Sequence, residues 1–454
     1  MENNMNMLDL TFYGDDFTGS TDVMEALALA HVPVALFTEP PTKAQIHDFQ
    51  FKNTFFSMQK LRAVGVAGIS RSLNREQMQA TLPAIFEKLA ALNAKFFHYK
   101  VCSTFDSSPG IGSIGQAIDI ASEYFESELI PLLVGMPKLN RFVVFGNLFA
   151  RVQETTYRLD RHPTMSKHPI TPMDESDILL HLSKQTKKEG FLIDVLQLED
   201  RQKNLTQLLD KAKSAGKKIV LFDTLSPTHL NLIGKGLNAY FPTSNQLIVG
   251  SSAVATALFP EKENEAQRAK TAIGKAKKMI AMSGSCSPVA AEQILYAQQI
   301  GFKTIAIDTV RLLNEQESAS EQERLMRLAS ESKNDYLPII FYSALGPNDP
   351  SLPLVKQIPH GQERLPILLG KLLKDLVLRY KPDRVISAGG DTSGKITRLL
   401  EIDALEFLAE LTAGSPFCLT HAQRKEFDNL QIALKGGQNG KKSFYQEAYE
   451  GVKY

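Results

Sequence analysis

An apolar run long enough to span a membrane, ~18 residues, occurs nowhere in the chain, and residues 1–7 lack the basic stretch and apolar core of a secretion signal. Cysteine is scarce. Cys102, Cys286 and Cys418 are the three present and lie far apart, which argues against a disulfide framework and a cysteine-rich metal centre and leaves them as small buried residues in a reducing compartment. A dominant charge sign is missing as well, since 51 Lys and Arg face 50 Asp and Glu for a net charge of +1. No global field therefore draws the chain to nucleic acid or to an anionic membrane. Internal repeats and low-complexity tracts are also lacking. These absences point to a cytoplasmic protein that acts on small molecules.

What is present is apolar material for more than one core. At 454 residues, 43% of them hydrophobic, the chain exceeds the roughly 250–300 residues at which a single core stops growing. Short runs rich in Val, Ile, Leu and Phe, at 8–13, 33–37, 64–69, 96–101, 142–145, 191–195, 219–222 and 247–249, alternate with stretches of helical period. That rhythm predicts an α/β protein of two domains, each a mostly parallel sheet flanked by helices. Residues 18–30 illustrate the helical half: Val23, Ala26, Leu27 and Ala30 share a face, and Asp16, Thr18 or Ser20 stands where a cap belongs. Around 261–278 the composition turns charged and alanine-rich, so a boundary is expected there, dividing domains 1–265 and 266–454. The alternation then resumes, with strands expected at 279–282, 304–307, 337–342 and 384–387 and helices at 365–380 and 395–400. Between Arg158 and Asp177, three prolines with His162 and His168 mark an irregular segment, either a functional loop or a rigid connector.

Three small-residue turns in the second half each follow an expected strand and open a helix: Ser283-Gly284-Ser285-Cys286-Ser287-Pro288, Gly389-Gly390-Asp391-Thr392-Ser393-Gly394 and Lys435-Gly436-Gly437-Gln438-Asn439-Gly440. Free N–H groups at a helix start, with the helix dipole behind them, suit phosphate, and Thr392 and Ser393 add hydroxyls. Gly389, Gly394 and Lys395 nearly satisfy a P-loop, but Ile396 occupies the position of the Mg²⁺-binding hydroxyl, so a standard P-loop is rejected. In a parallel sheet the carboxyl ends of strands gather on one edge, where three such turns can surround one nucleotide. In the first half, Asp15 and Asp16 end the first strand, where they either act on a substrate hydroxyl or organise the turn into the helix. Lys100, Ser103, Thr104 and Asp106 follow another strand and offer an ammonium, hydroxyls and a carboxylate, a set suited to a polyhydroxylated acid. Arg71 is suited to a substrate carboxylate through its two-pronged guanidinium, or is a solvated surface residue.

On these residues the chain resembles the four-carbon acid sugar kinase family, two-domain enzymes whose N-terminal domain holds a sugar acid and whose C-terminal domain holds ATP. The carriers are Gly14-Asp15-Asp16-Phe17-Thr18-Gly19, Ser70-Arg71-Ser72, Lys100 with Ser103-Thr104, Pro169-Ile170-Thr171-Pro172-Met173 and the three turns of the second half, and they cover nearly the whole chain. The resemblance implies ATP-dependent phosphorylation of a terminal hydroxyl of a tetronate, oxo-tetronate or branched oxo acid to a 4-phosphate, in a cleft between the domains. It implies Asp16 or Asp15 as the base and Lys100 as charge stabiliser. Arg71, Ser103, Thr104 and Asp106 would meet the acid, and Ser283, Ser285, Ser287, Gly389, Gly390, Asp391, Thr392, Ser393, Gly436 and Gly437 the nucleotide, with Asp391 available to Mg²⁺. The partners are then the sugar acid and ATP, with homodimerisation left open. Many members read Lys-x-x-Ser-Thr-x-Arg-Gly where this chain has Asp106 and Ser107, and Glu where it has Asp391. Exchanging a cation for a carboxylate at 106 inverts the local charge and favours a hydroxyl-rich or branched acid such as 3-oxo-isoapionate. Two other readings remain at this point: a metal-dependent hydrolase or lyase built on Asp15 and Asp16, and a non-catalytic sensor of sugar acid and nucleotide.

Overall fold

Parallel strands covered on both faces need apolar residues at nearly every position, and the sequence supplies them in short blocks. In the computed structural model Leu10–Gly14 (β1), Val34–Phe37 (β2), Ala63–Ala67 (β3), Phe96–Lys100 (β4) and Ile130–Leu133 (β5) are buried throughout. The described residues are 7–152, 154–168, 170–200, 202, 204–242, 245–261, 272–331 and 338–452, with the backbone alone for Asp391. Two compact units result, one of Met1–Gln50 and Met58–Gln267 and the other of Phe51–Ser57 and Arg268–Tyr454. The boundary expected at 265–266 falls outside the described residues.

In the first unit, Arg141–Val144 (β6), Asn147–Val152 (β7) and Thr155–Arg158 (β8) form a separate antiparallel sheet. Gly190–Ile193 (β9), Ile219–Phe222 (β10) and Gln246–Gly250 (β11) rejoin the main sheet, whose order is β2-β3-β1-β4-β11-β5-β10-β9 with parallel pairing. The run at 142–145 therefore belongs to the small sheet rather than to the parallel alternation. Its partly exposed side chains need only one covered face, and β5, which the sequence reading passed over, takes the buried place. Register brings Gly14 and Gly250 level with Lys100, so the loops that follow leave from one edge.

The second unit holds Met279–Ser283 (β12), Lys303–Ala306 (β13), Ile339–Tyr342 (β14), Arg384–Ala388 (β15), Ile402–Thr412 (β16), Ser415–Ala422 (β17) and Gln431–Lys435 (β18). Their order is β13-β14-β12-β15-β18-β17-β16, parallel as far as β18 and antiparallel for β17 and β16. A core of Ile294, Ile340, Ile386, Phe417, Phe444 and Tyr445 joins sheet and helices. The helix expected from 395 begins five residues earlier, as Gly390–Leu399, because the small-residue turn itself forms its first turn. Of the strand expected at 337–342, Leu337 lies outside the described residues, as does Pro169 of the irregular segment. That segment contains two short 3-10 turns, Leu159–Arg161 and Met165–Lys167. His162 Nδ1 accepts from the Met165 N–H at 3.1 Å and His168 Nδ1 from the Thr171 N–H at 3.1 Å, so both imidazoles brace it. No described helix is long and apolar enough to cross a membrane.

Candidate active site

Beyond Gly14 the chain turns from β1 into the helix Phe17–Leu29, and Asp16 is its N-cap in extended conformation. One Asp16 oxygen accepts from the Gly19 N–H at 3.0 Å and the other from the Thr18 hydroxyl at 2.7 Å. Asp15 is held by its N–H, which donates to Lys100 O at 2.9 Å. Arg71, on the 3-10 turn Ser70–Ser72 after β3, grips both carboxylates: Nε and Nη2 reach the two Asp15 oxygens at 3.1 and 2.7 Å, and Nη2 also reaches Asp16 at 2.8 Å. The fork that suited a substrate carboxylate is thus occupied by Asp15, with Nη1 free of hydrogen bonds among the described residues.

Depth separates the two carboxylates, whose side chains are 3% and 19% exposed. Burial pushes Asp15 up against the pull of Arg71, whereas at Asp16 the charges of Arg71 and Lys100 and the cap hydrogen bonds outweigh burial and hold the carboxyl below its usual range. Asp16 is therefore an ionised acceptor at neutral pH. Lys100 is buried at the end of β4, and no described residue accepts a hydrogen bond from its ammonium. A Cβ at Gly19 would lie 2.3 Å from Asp16 Oδ1 and 2.8 Å from Lys100 Nζ, so glycine there leaves room for carboxylate and ammonium on either side of it at the helix start.

Past Lys100 the chain makes a tight turn, with Phe105 left-handed at φ 58 and its N–H on Cys102 O at 2.9 Å. Thr104 bridges the Cys102 thiol at 2.9 Å and the Asp106 carboxylate, and Ser103 lies partly buried on the turn. Ser107 Oγ bonds His181 Nε2 at 3.0 Å and takes the Gln185 amide at 2.9 Å, which fixes the loop to the helix Ile178–Ser183 and the residues after it. Asp22 escaped the sequence reading, although its spacing of four and three from Thr18 and Gly19 puts it on their helix face. Burial pushes its carboxyl up and Lys100 opposes that, so Asp15, Asp16 and Asp22 all feel one ammonium.

In the second unit the three small-residue turns meet. Gly389 precedes the helix Gly390–Leu399 at φ 117, without a capping side chain. A Cβ there would lie 3.4 Å from Ser285 N and 3.3 Å from Thr392 Oγ1. Ser287 caps the helix Pro288–Gln299 by accepting from the Ala290 N–H at 3.0 Å and donates to Gly437 O at 2.5 Å, while Ser285 Oγ takes the Ser287 N–H at 3.2 Å. Gly390 is exposed at the helix start, so N–H groups without an intrahelical partner converge there, as phosphate requires. Thr392 is buried beside the turn, whereas Ser393 points inward and bonds Ser387 Oγ at 3.0 Å, so its hydroxyl serves the interior. Ser283 Oγ is buried and faces the Tyr445 hydroxyl, so it serves the interior. The Asp391 side chain, singled out for Mg²⁺, lies outside the described residues.

Lys435 opens the third turn and stands outside the residues expected to meet the nucleotide. It is fully buried, and Nζ donates to Gly436 O at 2.9 Å while sitting 5.5 Å over the Phe444 ring. Burial pulls its ammonium down to about 8. A lysine closing an otherwise apolar strand ahead of two glycines was the signal for it.

Comparisons with known proteins follow the same division. Residues 10–258 match the family described as the sugar-binding N-terminal domain, and residues 280–445 the one described as the nucleotide-binding C-terminal domain. A 3-oxo-isoapionate kinase of Paraburkholderia graminis is 38% identical over 97% of this chain and 94% of its own length. A 3-oxo-tetronate kinase of Pectobacterium atrosepticum is 27% identical over 97% of this chain and 99% of its own. A crystal structure from Salmonella typhimurium LT2, named as a tRNA synthase, superposes with a TM-score of 0.76 at 24% identity, covering 97% of this chain and 99% of that one. Haemophilus influenzae protein HI1011 does so at 0.68 and 19%, covering 96% and 98%. These two likenesses bear on the fold alone.

Proposed function

Because this chain belongs to the four-carbon acid sugar kinase family, and so is an ATP-dependent sugar acid kinase, we propose that its acceptor is a branched oxo acid, 3-oxo-isoapionate, phosphorylated on a terminal hydroxyl. The 38% identity to a kinase of that acid supports the choice over an unbranched 3-oxo-tetronate. The observation that carries the catalytic reading is the ionised Asp16 set beside the buried Lys100 ammonium at Gly19.

In this reading residues 1–265 hold the acid and residues 266–454 the nucleotide. Asp16 accepts the proton of the attacking hydroxyl as the new O–P bond forms and the bond from the γ-phosphorus to ADP breaks. Lys100 stabilises the charge that gathers on the transferred group. Arg71 holds Asp15 and Asp16 in place and offers Nη1 to the acid, with Ser103, Thr104 and Asp106 beside it. The N–H groups at Gly389, Gly390 and Thr392 and the turns at Ser283–Ser287 and Gly436–Gly437 cradle the phosphates. Mg²⁺ prefers oxygen donors and phosphate, and the Thr392 hydroxyl beside the Gly389 turn fits that preference. Asp391 is a further candidate ligand. When bound, the ion neutralises charge on the phosphates.

ADP release from Mg²⁺-ATP, measured with 3-oxo-isoapionate, 3-oxo-tetronates, threonate and erythronate, tests this. Fastest turnover with the branched oxo acid is expected, and preference for an unbranched acid would reassign the substrate. Chelation of Mg²⁺ should abolish turnover, and activity persisting in excess chelator would remove the metal from the scheme.

A further inference from the structure

We infer that Arg141 anchors the carboxylate of the acid substrate through the Nε–Nη2 edge of its guanidinium. The inference deepens the function proposed above and rests on it. Arg141 opens β6 directly after Asn140, which is left-handed at φ 58. Its Nη1 is tied back to Leu139 O at 3.0 Å and Asn140 O at 3.2 Å, which fixes the plane of the group. Nε is buried and makes no hydrogen bond, and among the described residues Nη2 makes none either. An Nε–Nη2 edge presents two parallel donors that match the two oxygens of a carboxylate, and Arg71 uses this same edge on Asp15. A buried donor without an acceptor is unfavourable unless something fills the position.

The surroundings of Arg141 are those of the candidate active site. The loop that leads to it leaves the carboxyl end of β5, which pairs in parallel with β11 as β11 does with β4, so it departs from the same edge as Lys100. Burial pushes the Arg141 guanidinium down, and the charge of Asp106 opposes this. Arg71 feels the Asp106 charge as well, so the loop after β4 interacts with both guanidiniums. His162, from the irregular segment 158–177, is pushed down by burial and by the Arg141 charge. Asp106 takes the Thr104 hydroxyl and makes no hydrogen bond to Arg141, which leaves the guanidinium edge for an incoming anion. An acid bound there would point its hydroxylated end away from Arg141.

Binding of 3-oxo-isoapionate and of its primary amide to the full-length protein, read by titration calorimetry without nucleotide, decides the matter for wild type, Arg141→Met and Arg141→Lys. Thermal unfolding of each variant serves as the folding control. Arg141→Met should bind the acid at least 30-fold more weakly than wild type and the amide within threefold, with Arg141→Lys between the two. Acid binding within threefold of wild type, an equal loss for acid and amide, or a wild type that does not distinguish the two would overturn the inference. Turnover is read separately: a wild type that binds the acid through Arg141 yet releases no ADP with it defeats the proposed reaction and leaves the anchor standing.

Discussion

Asp16 carries a helix cap, a hydroxyl contact and a guanidinium contact at once, so its substitution separates chemistry from architecture. Asparagine still caps but cannot take a proton. Asp16→Asn should lower kcat by about 10²- to 10⁴-fold with little change in thermal stability, whereas Asp15→Asn, which cuts a buried bidentate contact, should lower stability as well. Near-normal turnover in Asp16→Asn with loss in Asp15→Asn would exchange their roles. Lys435 gives a pH signature. Its ammonium is held at about 8 in the folded protein against 10.5 unfolded, so between those values the unfolded state binds more protons and stability rises with pH. Denaturant titrations should show wild type gaining on Lys435→Met by about 2 kcal/mol from pH 7 to 9.5; a flat difference would mean that the ammonium titrates normally.

At the scale of elements, the start of the helix Phe17–Leu29 sets the distance between carboxylate and ammonium. Gly19→Ala places a methyl where Asp16 Oδ1 and Lys100 Nζ now approach. It should cut kcat by at least about tenfold, since small misplacements of reacting groups are costly, while the KM for ATP stays unchanged; equal effects on both would signal general misfolding. The cap and the helix it opens were legible in the sequence because Asp16, Thr18 and Gly19 are near neighbours. So were the three turns of the second half, each a short string between strand and helix. The sheet β6-β7-β8 was not legible as a sheet of its own, because a four-residue apolar run carries no mark of whether it pairs in parallel or antiparallel fashion. Arg141 was missed for that reason, as an arginine at the start of a strand whose sheet was misassigned.

For the whole molecule, the assignment of Phe51–Ser57 to the second unit has an energetic consequence. Glu406 is fully buried and accepts from the Lys52 and Asn53 N–H groups at 3.0 and 2.8 Å and from His421 Nε2 at 3.1 Å. A fragment of residues 268–454 keeps the carboxylate and loses the two backbone donors, at a cost of about 1–3 kcal/mol each. Glu406→Gln should therefore stabilise that fragment and destabilise the full chain, as read by thermal unfolding; the same sign in both would show that the segment contributes nothing to Glu406. By itself the sequence determined the α/β alternation, the helix starts and the order of the small-residue turns, because each depends on residues within a few positions of one another. The tertiary structure alone decided that Arg71 grips carboxylates 55 and 56 residues away. It alone likewise placed Arg141 near Asp106 and brought Lys52 to a carboxylate 354 residues distant. Such meetings are set by strand order and by which loops share a sheet edge, and spacing along the chain holds no record of either.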